Sequence, residues 1–230
     1  MIGFDPMYFL FIAPALILAV WAQFSVRSAM AAGAKVPPSS GLSGAQAAAK
    51  ILEAGGIRGV GIEQTSGMLG DHYDPKAKVL RLTPEVFSGR SLTAVGVAAH
   101  EAGHALQDAE AYRPMVVRNA VVPLAGFGSN ASFFLMFIGM LMSSFNLIVL
   151  GIASFSVVVF FQLVNLPVEF NASSRAKALL LQRGIIGPSE SPMVSRVLGA
   201  AAMTYVAATI SAVLTLIYYL FRFGLLDRRD

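Results

Sequence analysis

HEAGH, at residues 100–104, is the stretch from which the organisation of this chain follows. His100 and His104 are four positions apart, and on an α-helix such positions lie on the same face. Two imidazoles placed in this way can bind one zinc ion, while Glu101 stands beside the metal as a general base. The third histidine of the chain is His72. The alternative interpretation is a pair of metal-free histidines on a helix surface.

The residues before the motif predict that its helix is buried. Ser91 can cap a helix that begins at Leu92 and continues through the motif to Gln107. Residues 92–99, LTAVGVAA, are mostly small and apolar, so we expect other elements to cover this helix. A buried histidine pair beside a carboxylate is costly unless its polar atoms are satisfied. A shared metal ion satisfies them, which favours the metal site.

The composition indicates an integral membrane protein. The 230 residues are 56% hydrophobic and 13% charged, against about 25% charged in soluble proteins. The chain has no cysteine, which excludes disulfides and thiolate metal ligands. Its net charge of +4 is spread thinly, and without a basic cluster we expect no nucleic-acid partner.

Four apolar stretches approach the ~20 residues that a helix needs to cross a bilayer. They cover residues 7–26, 121–142, 147–164 and 203–221. The first has a long apolar core and no basic residue before it, so we expect an uncleaved anchor rather than a signal peptide. Because Arg27 and Lys35 follow it, the positive-inside rule predicts that residues 27–118 are cytoplasmic. Basic residues beyond the last stretch, Arg222, Arg228 and Arg229, contradict that rule.

The water-facing segment predicts a small α+β arrangement. We expect a helix over Ala45–Leu52 that is capped by Ser43, a strand over Val60–Gln64, a turn over Asp71–Pro75 and an edge-like strand over Lys78–Leu82. An extended peptide can add to such an edge through backbone hydrogen bonds.

Catalytic zinc needs a third protein ligand, and the residues leave two choices, His72 or a carboxylate. Glu169 is the best carboxylate, because it follows the third apolar stretch and the hairpin of stretches returns the chain to the same membrane face. Pro167 suits the first turn of a new helix. Glu169 can then be a simple capping residue instead of a ligand.

Four segments carry a resemblance to a known family, and they occur in order over nearly the whole chain. The segments are DHYDP (residues 71–75), LRLTPEV (80–86), AAHEAGHALQ (98–107) and LPVEF (166–170). With these segments the sequence resembles the YugP-type neutral zinc metallopeptidases of bacteria, and its architecture resembles the HtpX class of gluzincin membrane proteases. The resemblance implies that His100, His104 and Glu169 bind zinc and that Glu101 is the base.

One position departs from the gluzincin pattern. Many gluzincins carry an aspartate four residues after the ligand glutamate, where it orients a ligand histidine, and this chain has Ser173. Support for the histidines must then come from Ser173 itself, Asn171 or another carboxylate such as Asp108. For stabilisation of the oxyanion, the candidate residues are His72, Tyr73 and Arg175.

These inferences predict a mostly helical α+β membrane protein with about four transmembrane helices and a small zincin-like cytoplasmic domain. That domain would combine a short β-hairpin with the motif helix. We expect an N-terminal anchor (residues 1–26), a catalytic domain (27–120), a transmembrane hairpin (121–166), a third-ligand helix and connector (167–200), and a C-terminal transmembrane helix and tail (201–230).

The predicted function is that of a zinc-dependent metalloendopeptidase embedded in the bacterial inner membrane. Its expected substrates are peptides or membrane proteins, which zinc-activated water cleaves on the cytoplasmic side. The alternative is a non-catalytic membrane scaffold that keeps zinc for stability. A site-2-type protease requires a later aspartate ligand, and no Asp occurs in the second to fourth stretches.

Overall fold

A computed structural model describes residues 6–66 and 70–226. The protein is 73% helical and has one small three-stranded sheet. Its elements, in chain order, are α1 (Pro6–Gly33), α2 (Gly44–Ala54), β1 (Gly61–Gln64), β2 (His72–Asp74), β3 (Val79–Leu82), α3 (Pro84–Phe87), α4 (Leu92–Ala109), α5 (Arg113–Leu141), α6 (Phe145–Gln182) and α7 (Ser191–Arg222).

Four helices, α1, α5, α6 and α7, are long and apolar enough to cross a membrane. They contain the four apolar stretches of the sequence except for Met142, which follows α5, and each helix is longer than its stretch. This confirms the predicted mostly helical membrane protein with a small β element. The predicted orientation stays a prediction, and two of the arginines that contradict it, Arg228 and Arg229, lie outside the described residues.

The chain divides into two compact units. The first combines residues 1–21, 116–166 and 204–230. In it, α5 and α6 approach closely where Gly151 faces Met136 and Gly139 faces Ile148, because a residue without a Cβ lets two helices come together.

The second unit combines residues 22–115 and 167–203 and contains every candidate site residue. Its apolar core surrounds α4, the helix of the HEAGH motif. Fully buried members of this core include Leu80, Leu82, Val95, Ala98, Leu180 and Val194. The predicted burial of the motif helix is therefore confirmed.

Two helices of this unit begin where the sequence predicts. The Ser43 side chain accepts a hydrogen bond from the Gln46 N–H, and the Gln46 side chain accepts one from the Ser43 N–H, which completes a capping box at α2. Ser91 caps α4 by accepting from the Ala94 N–H at 3.1 Å. Both caps satisfy main-chain donors that a helix leaves open at its first turn.

The sheet corrects two expectations. Its strand order is β1-β3-β2, with β1 parallel and β2 antiparallel to β3, so β3 is the central strand and the prediction of an edge strand there was wrong. One face of β3 carries the fully buried Leu80 and Leu82, and the other carries the buried Val79 and the partly exposed Arg81. The polar-apolar alternation in the sequence is therefore compatible with a central strand. The predicted turn at residues 71–75 was also misplaced. Residues 72–74 form β2, and the turn follows, where Asp74 accepts from the Lys76 and Ala77 N–H groups.

Pro167 lies inside α6 and does not begin a new helix, contrary to the prediction. Proline removes one main-chain hydrogen bond from a helix, and long helices in membrane proteins tolerate this loss when neighbouring groups compensate. Glu169 is therefore a mid-helix residue, and its interpretation as a capping glutamate is wrong.

Candidate metal centre

Helix α4 presents the two motif histidines from consecutive turns. The centroids of the His100 and His104 rings are 4.7 Å apart. His104 is buried and His100 is partly buried. The spacing of the motif thus produces the geometry that the sequence predicts, with both imidazoles on one face of the helix.

Helix α6 brings Glu169 to this pair from a distant part of the sequence. Glu169 Oε2 lies 3.2 Å from His100 Nε2 and 3.7 Å from His104 Nε2. One ligand atom from each of the three residues falls within 4.8 Å of the others, and only 3% of the Glu169 surface is exposed. Two imidazole nitrogens and a carboxylate oxygen form a donor set typical of catalytic zinc, so the residues fit the metal. His72 is not part of this cluster.

The two ligand-bearing helices approach closely beside the cluster. A Cβ atom on Gly103 would lie 2.9 Å from the Ala172 carbonyl oxygen and 3.3 Å from its Cα. Glycine at the third residue between the histidines therefore sets the separation of α4 and α6.

Each histidine has a hydrogen-bond partner on the ring nitrogen that faces away from Glu169. Ser173 Oγ lies 3.1 Å from His100 Nδ1, in agreement with the suggestion that Ser173 supports a ligand. His104 Nδ1 lies 2.9 Å from Gln107 Oε1. Gln107 was missed in the sequence, although it is three residues after His104 and so shares a helix face with it. Such partners orient metal-binding imidazoles.

Glu101 is buried next to the cluster. Its Oε2 accepts a hydrogen bond from the Tyr73 main-chain N–H at 3.0 Å. Burial raises the pKa of the Glu101 carboxyl, and the adjacent imidazoles act in the opposite direction. For His104, burial lowers the pKa, but the carboxylates of Glu169 and Glu101 outweigh burial and raise it. The two carboxylates therefore stabilise the protonated form of the His104 imidazole.

The side chains of Tyr73 and His72 on β2 form hydrogen bonds with groups outside the His100–His104–Glu169 cluster. The Tyr73 hydroxyl donates to Asp108 Oδ2 at 2.7 Å, so Asp108 binds Tyr73 and Lys78 and is not a partner of the ligand histidines. Burial, and next the Asp108 carboxylate, raise the pKa of Tyr73. His72 Nδ1 lies 2.9 Å from the Gly70 carbonyl oxygen. Because side chains alternate along a strand, His72 lies on the face opposite Tyr73.

Arg175, the other candidate for the oxyanion, is held by one group on α6 and two groups in the loop that follows α4. Its guanidinium donates to Asn171 Oδ1 at 2.7 Å, pairs with Glu110 at 2.7 Å and lies 5.9 Å from the centre of the Tyr112 ring. These contacts give it a role in holding the helices.

His100, His104 and Glu169 thus form a partly to fully buried group that could hold a metal ion, with the Glu101 carboxylate next to it. The chain belongs to the family described as "Putative neutral zinc metallopeptidase", whose model matches residues 8–224. It is 47% identical over 225 residues to the "Putative membrane protease YugP" of Bacillus subtilis (strain 168). The aligned residues make up 97% of this chain and 99% of that relative. No solved structure gave a significant match. The resemblance predicted from the sequence is confirmed.

Proposed function

We propose that this protein is a zinc-dependent metalloendopeptidase embedded in the membrane, in which His100, His104 and Glu169 hold the metal and Glu101 is the general base. The observation that supports this most directly is the convergence of the three ligand atoms within 4.8 Å in a buried site. Glu101 lies between the two histidines in sequence and is buried beside them. A purely structural zinc site has no need of this extra carboxylate, which counts against the zinc-stabilised scaffold.

The residues of the site divide the chemistry among them. Zinc supplies Lewis acidity when bound, which activates water near neutral pH and polarises a carbonyl group. Glu101 takes a proton from the attacking water and passes it to the departing amide nitrogen. The two imidazoles and Glu169 keep the metal in place throughout.

The substrate peptide lies along β2 in this proposal. Among the residues that the structure describes, both sides of β3 are paired, whereas β2 pairs with β3 on one side only. The Tyr73 N–H of β2 donates to Glu101. An extended peptide can therefore add to the outer side of β2 through main-chain hydrogen bonds. We assign the oxyanion contact to the same strand, with the His72 side chain as the candidate, because the Tyr73 N–H already donates to Glu101 and the Tyr73 hydroxyl to Asp108.

The proposed substrates are membrane proteins or peptides close to the bilayer, because the same helix, α6, carries Glu169 and is apolar enough to cross a membrane. The basic residues at 27 and 35 favour a site on the cytoplasmic side of the bacterial inner membrane.

The deciding experiment measures zinc per chain, by elemental mass spectrometry, and cleavage of an unfolded protein by the same detergent-purified samples. We expect about one zinc in the wild type, a clear loss in Glu169→Ala and no loss in the control Glu110→Gln, whose carboxylate lies on the exposed side of Arg175. Cleavage should stop with a chelator and return with zinc. Zinc retained by Glu169→Ala would contradict the ligand set, and zinc without cleavage would favour the scaffold.

A further inference from the structure

Gln107 is the most completely buried polar side chain of the described residues, with no exposed surface, and it joins the two helices of the site. On α4, its Oε1 lies 2.9 Å from His104 Nδ1. Towards α6, its Nε2 donates to the Val168 carbonyl oxygen at 2.8 Å and to Asn171 Oδ1 at 3.0 Å. Val168 and Asn171 lie on either side of Glu169 in the sequence. The Gln107 amide therefore bonds one proposed ligand, His104, and two residues close to another, Glu169.

The orientation of this amide is fixed by groups that can act in one way only. A main-chain carbonyl accepts and never donates, so the atom of Gln107 that faces Val168 must be the NH₂ group. Asn171 Oδ1 gives the same answer, because it also accepts from Arg175 Nε at 2.7 Å and an arginine side chain only donates. The atom of Gln107 that faces His104 is therefore its carbonyl oxygen.

The oxygen of Gln107 in turn determines which nitrogen of His104 carries the proton. An amide oxygen only accepts, so His104 Nδ1 must be protonated, and Nε2, which lies 3.7 Å from Glu169 Oε2, is the nitrogen left for a metal ion. His100 lacks this constraint, because the Ser173 hydroxyl at its Nδ1 can donate or accept.

We propose that Gln107 is the positioning residue of the metal centre, which holds His104 as the tautomer with Nδ1–H and thereby presents Nε2 to zinc. Asn171 and Arg175 hold the Gln107 amide in the required orientation. The inference rests on the proposed function, since it assigns the support of one of the proposed zinc ligands.

The test is NMR of the zinc-loaded full chain labelled with [¹⁵N]histidine, in which three imidazoles contribute signals. We expect His104 to bind zinc through Nε2 and to keep a slowly exchanging proton on Nδ1. Coordination through Nδ1 would overturn the proposal, and this spectrum of the wild type decides even if a variant fails to fold. A wild type that binds no zinc would instead overturn the proposed function.

Two variants separate positioning from packing. Gln107→Met keeps the size but not the acceptor, so we expect zinc affinity to fall about 10- to 100-fold and the His104 Nδ1 proton to exchange faster. Glu110→Gln removes the ion pair of Arg175 without removing its bond to Asn171, so its zinc affinity should equal that of the wild type. Unchanged affinity and exchange in Gln107→Met would contradict the proposal.

Discussion

Gly103 on α4 lies against the main chain of Ala172 on α6, with room for a hydrogen atom but not for a methyl group. A Cβ at residue 103 would come within 2.9 Å of the Ala172 carbonyl oxygen, and main-chain atoms of a packed helix cannot move aside as a flexible side chain can. This contact sets how close Glu169 can come to the two histidines.

Gly103→Ala should therefore weaken zinc binding by about tenfold or more, because the added methyl group separates the helices that carry the ligands. Gly96→Ala is the matched control on the same helix, since its Cβ would meet Val194 Cγ1 at an ordinary 3.6 Å. The control should keep zinc affinity and gain about 0.5–1 kcal/mol in stability, as a helical glycine replaced by alanine does. Competition with a chromophoric chelator and the Tm of both variants measure the two effects.

Glu101→Gln should retain zinc and lose peptide cleavage, because the amide cannot take a proton from water although the metal ligands are intact. His104→Ala should lose both zinc and cleavage. Zinc content and peptide turnover, measured on the same purified samples, distinguish the two variants. Continued cleavage by Glu101→Gln would show that the base is a different residue.

Substitutions of Ser173 test whether its hydroxyl supports His100, because one of them should increase the affinity for zinc. Ser173→Asp places at His100 Nδ1 a carboxylate, which orients a ligand imidazole more firmly than a hydroxyl, so zinc should bind more tightly. Ser173→Ala should bind zinc several-fold more weakly. The control is Ser174→Ala, because the Ser174 hydroxyl bonds only the Phe170 carbonyl of its own helix. Equal zinc affinities in all three variants would remove Ser173 from the support of the site.

Tyr73→Phe tests whether β2 acts through its main chain. We expect turnover to persist, because the N–H at residue 73 is unchanged, and stability to fall by about 1 kcal/mol because the hydrogen bond to Asp108 is lost. A large loss of turnover with zinc retained would instead assign the hydroxyl a catalytic role.

The same hydroxyl predicts a dependence on alkaline pH. The pKa of Tyr73 is raised in the folded protein, mainly by burial. Above pH ~10 the unfolded chain therefore loses the phenolic proton while the folded protein keeps it, and stability falls as the pH rises further. Unfolding in detergent at pH 8 and pH 10.5 should show a difference that is smaller in Tyr73→Phe than in the wild type.

Features encoded by neighbouring residues were predictable from the sequence. The caps at Ser43 and Ser91, the histidine pair and the apolar helices each depend on spacing within a short window. The central position of β3 was not predictable, because strand order depends on partners that are distant in sequence. The effect of Pro167 was misjudged for a similar reason, since the packing around α6 decides whether a proline ends a helix. Gln107 lies outside the HEAGH motif in the sequence. Its connection between His104 and α6 depends on the packing of α6 against α4, which the sequence does not show.

The position of Glu169 in the sequence also bears on how the protein is made. His100 and Glu169 are 69 residues apart, and most of the residues between them belong to α5 and the first part of α6. During synthesis, the two histidines leave the ribosome well before the glutamate that completes their site. A nascent chain therefore cannot hold zinc with its full set of ligands until this apolar hairpin has been synthesised, and the hydrolytic centre stays incomplete throughout that stage of biogenesis.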